Sequence, residues 1–227
     1  MKNPLIIILS LCFLLVACGE QATATKPKTS AIFVLIENGG TVSANLQEGV
    51  KQTAMNLFEQ MTKLNRRKAT RNVQIHILFS DKPYQISWSG TPQQLLEQAQ
   101  EVIALIEFRA SFSDLVMAYE QINTTVQITQ PDDIKLYHIG LFIHVPFQNT
   151  DEEIQITVPQ DVPKNLALSS LLPKLSVLKF YGVHPDQDKK LSDYLSKHGV
   201  FARVKDGTLE FTLYGAAQTK SSLTKLL

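Results

Sequence analysis

Cysteine is nearly absent. The two in 227 residues, Cys12 and Cys18, both fall in the first eighteen positions. The rest of the chain therefore offers no disulfide, no thiolate nucleophile and no Cys-based metal site. Charge of one sign is also lacking: 22 basic against 21 acidic side chains leave a formal net charge of +1. Any anionic partner must then be met by a local patch, and nucleic acid is not indicated. No G-x-S-x-G, P-loop, H-E-x-x-H or G-x-G-x-x-G occurs, so the common hydrolase, nucleotide and zinc-protease signatures are excluded. Gly39-Gly40 ahead of a helix is, on its own, a weak phosphate cradle. The five histidines follow no ligand spacing, and there is no internal repeat. No cofactor and no small-molecule substrate is expected.

What is present is a globular composition, 44% hydrophobic and 19% charged, in a chain long enough for one core. At the N-terminus, Lys2 precedes an apolar core, Leu5–Leu15, too short to span a bilayer comfortably. It ends in Leu15-Val16-Ala17-Cys18. This resembles the lipobox of bacterial lipoproteins. The resemblance implies a signal over residues 1–17, cut before Cys18, and a diacylglycerol on the Cys18 thiol. With more than one acyl chain, at ~0.8 kcal/mol per buried methylene, such an anchor is effectively permanent. Gly19, where Asp favours inner-membrane retention in Gram-negative lipoproteins, implies the periplasmic face of the outer membrane. Residues 18–30 are polar, small and carry Pro27, and read as a tether reaching roughly 20 Å.

The stretch that organises the remainder is AIFVLIENGGT, Ala31–Thr41: six apolar residues, then an acid, an amide, two glycines and a hydroxyl. A short apolar run ended by glycines reads as a strand buried on both faces. Helical spacing predicts a helix over Ser43–Asn65. Its end carries Lys63, Arg66, Arg67, Lys68 and Arg71, either complementing the helix dipole and a solvated turn or meeting lipid phosphates or an acidic partner. Val73–Ser80 is a second buried strand, and Tyr84–Ser89 a short antiparallel edge strand. Thr91-Pro92-Gln93-Gln94 is a capping box for a helix whose stripe is Leu95, Leu96, Ala99, Val102, Ile103 and Ile106. Ser111-Phe112-Ser113-Asp114 opens another helix. Leu136–Val145 reads as a third long strand, on which His138 and His144 share a face. Ile154–Val158 reads as a short strand, Asn165–Leu172 as a helix, Leu175–Val183 as a strand. Asp186 caps a helix that closes at Gly199. Val200–Val204 and Thr208–Tyr214 around Asp206-Gly207 predict a terminal hairpin. The tail, residues 215–227, reads as loose. Trp88 is expected near an edge or in the core. Apolar strands alternating with helices predict one α/β domain over residues 31–214: a three-layer, doubly wound, mostly parallel sheet of Rossmann type with an antiparallel edge strand.

This order of elements resembles the von Willebrand factor A domain. The block VLKFYGVHPDQDKKLSDYLSKHG, Val177–Gly199, carries the likeness best, joined by the first strand and the Ser113-Asp114-Leu115 helix start. That family often binds a divalent cation at the top of its sheet. The ligands are an Asp-x-Ser-x-Ser loop, a Thr from a second loop and an Asp from a third, with a partner's carboxylate completing the ion. The corresponding positions here are Glu37, Gly39, Thr41, Ser113 and His144, so neither Asp is kept and the resemblance implies a degenerate site. A nitrogen at His144 suits magnesium poorly. The expected protein is thus a membrane-anchored, non-catalytic lipoprotein that docks another envelope protein. The docking loops are Glu37–Thr41, Phe112–Ser113 and Val145–Asn149, with Asn38, Gly40, Phe112 and Phe147 facing the partner. A place in a secretion or conjugation apparatus follows only by analogy of fold. The alternatives are a working metal-dependent adhesion domain, a small-ligand enzyme pairing Glu37 with His144, and a structural subunit of a larger ring or pilus base.

Overall fold

Strand β1, Ser30–Ile36, lies in the middle of everything that follows. The computed structural model describes residues 28–147 and 156–227. The leader, Cys18, the tether up to Pro27, and part of the expected strand at Ile154–Val158 lie outside those residues. Residues 156–158 are irregular.

The sheet has six strands: β1, β2 (Gln74–Phe79), β3 (Trp88–Gly90), β4 (Asp133–Ile139), β5 (Leu175–Val183) and β6 (Glu210–Gly215). Their spatial order is β3-β2-β1-β4-β5-β6. All pairs are parallel except β2 with β3. This is the expected doubly wound α/β arrangement with an antiparallel edge. The chain reverses its direction of travel across the sheet between β1 and β4, and open sheets of this kind place their sites beyond the carboxyl ends of the strands at that reversal.

Helices cover both faces, which explains why β1 is apolar from Ala31 to Ile36. Phe33 and Leu35 point to one cluster with helix α4 (Leu115–Thr129) and helix α6 (Pro185–Lys197). Ile32, Val34 and Ile36 point to the other, with helix α1 (Ala44–Thr62) and the pair α2 (Pro92–Glu97) and α3 (Ala99–Ala104). Each such side chain contributes ~1.5–3 kcal/mol on burial. The short helix α5 (Leu168–Leu171) leads into β5.

Several elements differ from expectation. The capping box at Thr91 is present, but the helix after it breaks at Gln98, and Leu96 is 54% exposed instead of buried. The edge strand is shorter than expected, with Tyr84 exposed ahead of it. Strand β4 starts at Asp133 and stops at Ile139, because Gly140 (φ +154°) and Phe142 (φ +59°) turn the chain out of the sheet. His138 and His144 therefore do not share a strand face. Within Ser111–Asp114 it is Asp114 that caps α4, accepting the Met117 N–H at 3.0 Å. His184, not Asp186, is the cap of α6.

The terminal hairpin does not form. Val200–Lys205 is a helix, α7, and β6 pairs parallel to β5. The Arg203 guanidinium donates to the Leu172, Leu175 and Thr208 carbonyls, which fixes α7 against the entrance of β5. Nor is the tail loose: α8 (Ala216–Ser221) and the last residues lie along α1. Gln60 clamps them, accepting the Leu226 and Leu227 N–H groups and donating to the Leu223 carbonyl, and Leu226 is fully buried.

Candidate functional site

Beyond the carboxyl ends of β1 and β4, the polar residues bond mainly to one another. Glu37 is fully buried. Its Oε1 accepts from His138 Nε2 at 2.7 Å and from the Phe142 N–H at 2.6 Å. On the other side of the imidazole, the Tyr119 hydroxyl lies 3.0 Å from Nδ1. Burial raises the Tyr119 pKa far above its usual value, aided by Tyr194 and Glu37. Tyr119 therefore keeps its proton, and the spacing fits a chain in which its hydroxyl donates to Nδ1 and Nε2–H donates to Glu37. Gly140 is required beside this chain, because a Cβ there would sit 2.5 Å from the Glu37 Cβ. The whole relay is closed to water, and it ties β1, β4 and α4 together. The alternative enzyme reading pairs Glu37 with His144, but the hydrogen-bond partner of Glu37 is His138.

The other expected site residues are separated in role. At Gly39, an added Cβ would lie 2.2 Å from the Phe112 carbonyl oxygen, so the second loop fills the space a hydroxyl side chain would need. The Ser113 hydroxyl donates to Ser80 Oγ at 2.8 Å, and its backbone bridges Val145. His144 Nδ1 accepts the Leu115 N–H at 3.2 Å, while Gln160 brackets the His144 backbone with two hydrogen bonds. Burial lowers the His144 pKa, opposed by Asp114 and Glu37. Asn38 is buried, not facing a partner. Its amide donates to the Glu107 carbonyl and accepts the Asp81 N–H.

Two atoms of the expected ion site are different. Glu37 Oε2 and Thr41 Oγ1 are buried and, among the described residues, have no hydrogen-bond partner. Two oxygens, with one ligand position blocked by backbone and two side chains already bonded elsewhere, do not reproduce a six-coordinate hard-ion site. Among the described residues no three His, Cys, Asp or Glu side chains converge as a ligand set.

Among the described residues, the rim carries a pair of aromatic rings. Phe147 is 46% exposed and meets the half-buried Phe112 edge to face, with centroids 4.7 Å apart. Asp114 Oδ2 accepts the Phe147 N–H at 3.0 Å and fixes that residue on the rim. Gly40 is exposed beside them. A cavity of about 420 Å³ lies to one side, between α1 and α8, over Leu141, Tyr181 and Gly182. Neither Glu37 nor His144 lines it.

No protein-family model and no curated protein matches the chain. Solved structures do resemble it. One is a von Willebrand factor type A protein from Catenulispora acidiphila, at 8% identity and a TM-score of 0.48, over 88% of this chain and 42% of that one. Another is proximal thread matrix protein 1 from the mussel byssus, at 9% identity and 0.48, over 88% and 46%. A third is the PilB minor pilin of Streptococcus sanguinis, at 8% and 0.45, over 89% and 63%. The chain thus spans about half the length of the first two. The α/β assignment rests on the strand order itself.

Proposed function

We propose that this chain is a non-catalytic, membrane-anchored lipoprotein of the bacterial envelope that docks another envelope protein through the loops at the top of its sheet, as part of a secretion or conjugation apparatus. The observation that carries this reading is the Phe112–Phe147 pair, held on the rim by Asp114 above a floor of mutually bonded polar groups. Exposed aromatic anchors on a rigid base are what protein partners use as hot spots. The test is a photoreactive amino acid at position 147 in intact cells, with position 128 as a control. Ile128 is 76% exposed near the carboxyl end of α4. A discrete adduct from 147 and none from 128 supports the proposal. No adduct, or the same pattern from both, overturns it.

A second reading is a metal-dependent adhesion domain with a variant cation site. The unpartnered Glu37 Oε2 and Thr41 Oγ1 favour it. Calorimetry with magnesium, calcium and manganese decides it: micromolar binding abolished by Glu37→Gln supports this second reading, and no heat rejects it.

A further inference from the structure

The basic residues at the end of α1 and the point where the N-terminal segment enters the sheet lie side by side. Ala31 of β1 pairs with Gln74 of β2, so the chain enters β1 next to the turn that feeds β2. That turn holds Arg66, Arg67, Lys68 and Arg71, all exposed and, among the described residues, in no ion pair. It is not a loose loop. The Thr70 hydroxyl donates to the Leu64 carbonyl at 2.7 Å, the Arg71 N–H to the Arg67 carbonyl at 2.9 Å, and the Val73 N–H to the Thr70 carbonyl at 3.1 Å. The entry to β1 is equally fixed. Asp132 Oδ2 accepts both the N–H and the hydroxyl of Thr29, and Asp133 Oδ2 accepts the Ser30 hydroxyl. The carboxylates at this end are thus engaged in holding the entry, and Glu59 is engaged by Lys63 at 2.9 Å.

We infer that the Arg66–Arg71 turn docks on anionic phospholipid headgroups of the membrane that holds the chain. This rests on the anchored reading above. Read from its polar, small-residue composition as a tether, the stretch from a lipidated Cys18 to Lys28 would reach about 15–20 Å on average. That is only about two screening lengths at physiological salt. The tether therefore keeps the turn at high effective concentration over the headgroups, and each basic residue near an anionic surface favours contact by roughly fivefold. Tether and patch together fix an orientation that the tether alone leaves open, with the sheet-top rim directed away from the bilayer.

The test uses the purified full chain in lipid nanodiscs of pure phosphatidylcholine or with 30% phosphatidylglycerol added. An uncharged amine-reactive reagent labels Lys68, with Lys220 on α8 as the internal reference, and mass spectrometry of the same sample reads acylation of Cys18. The expected result is acylated Cys18 and Lys68 labelled at least about fivefold more slowly, relative to Lys220, on the anionic discs. That difference is lost in 0.5 M salt and in a variant carrying Arg66→Gln, Arg67→Gln and Arg71→Gln, whose thermal midpoint is unchanged. Acylated Cys18 with equal Lys68 labelling on both discs overturns the inference and leaves the anchored reading intact. This is also what a turn reserved for an acidic protein would give. An unacylated Cys18 overturns both.

Discussion

Replacing Glu37 with Ala should be among the most damaging changes to the stability of the chain. The Phe142 N–H and the His138 Nε2–H both lose their acceptor in a dry interior. Each unpaired buried donor costs ~1–3 kcal/mol. Removing a carboxylate whose Oε2 has no partner offsets part of that sum, so a net loss of ~2–4 kcal/mol is expected. For a domain of this size that lowers the thermal midpoint by roughly 5–15 °C. Replacing the whole relay with apolar residues, Glu37→Leu, His138→Phe and Tyr119→Phe, leaves none of its side-chain polar groups stranded and should recover much of the loss. The assay is urea unfolding of the single and combined variants, followed by far-ultraviolet dichroism. If Glu37→Ala costs less than ~1 kcal/mol, or if the Glu37 and His138 effects add within ~0.5 kcal/mol, the two residues are not coupled and the reasoning fails.

Gly39→Ser should not restore a cation site. The new Cβ would meet the Phe112 carbonyl at 2.2 Å, so the expected result is a loss of ~1–3 kcal/mol from overpacking and no magnesium heat by calorimetry. Deleting Leu226 and Leu227 removes a fully buried leucine and two donors to Gln60. It should cost ~2–4 kcal/mol and make the chain after Gly215 the first site of limited proteolysis. Acidification should destabilise the domain. Burial lowers the pKa of His76 and His144 in the folded state, so below pH 6.5 the unfolded chain binds more protons than the folded one. Stability present above that pH is lost as pH falls from 6.5 toward the folded values. His144→Gln should flatten the slope of the unfolding midpoint between pH 7 and 5.

Strand β5 was legible to the residue, Leu175–Val183, because a doubly buried strand is a continuous apolar run bounded by polar turns. Strand β4 was not, because apolar content continues past the point where the chain leaves the sheet. Gly140 and Phe142 turn inward, and Phe142 packs against His138 and Phe180. At the C-terminus, Asp206-Gly207 has the composition of a hairpin turn. It is instead the end of α7, whose six residues hold too few turns for helical periodicity to show. The Glu37–His138 pair joins residues 101 positions apart, and only the β1–β4 register brings them together. For the same reason the Phe112 carbonyl over Gly39 could not be read from composition.

Strand β1 also sets how the domain would carry load. A pull between a tether at Thr29 and a partner on the rim beyond Ile36 runs along the strand itself. β1 is flanked on both sides by parallel neighbours, β2 and β4, so the hydrogen bonds of two ladders resist in shear and must fail together. An edge strand pulled the same way would have one ladder in shear instead of two.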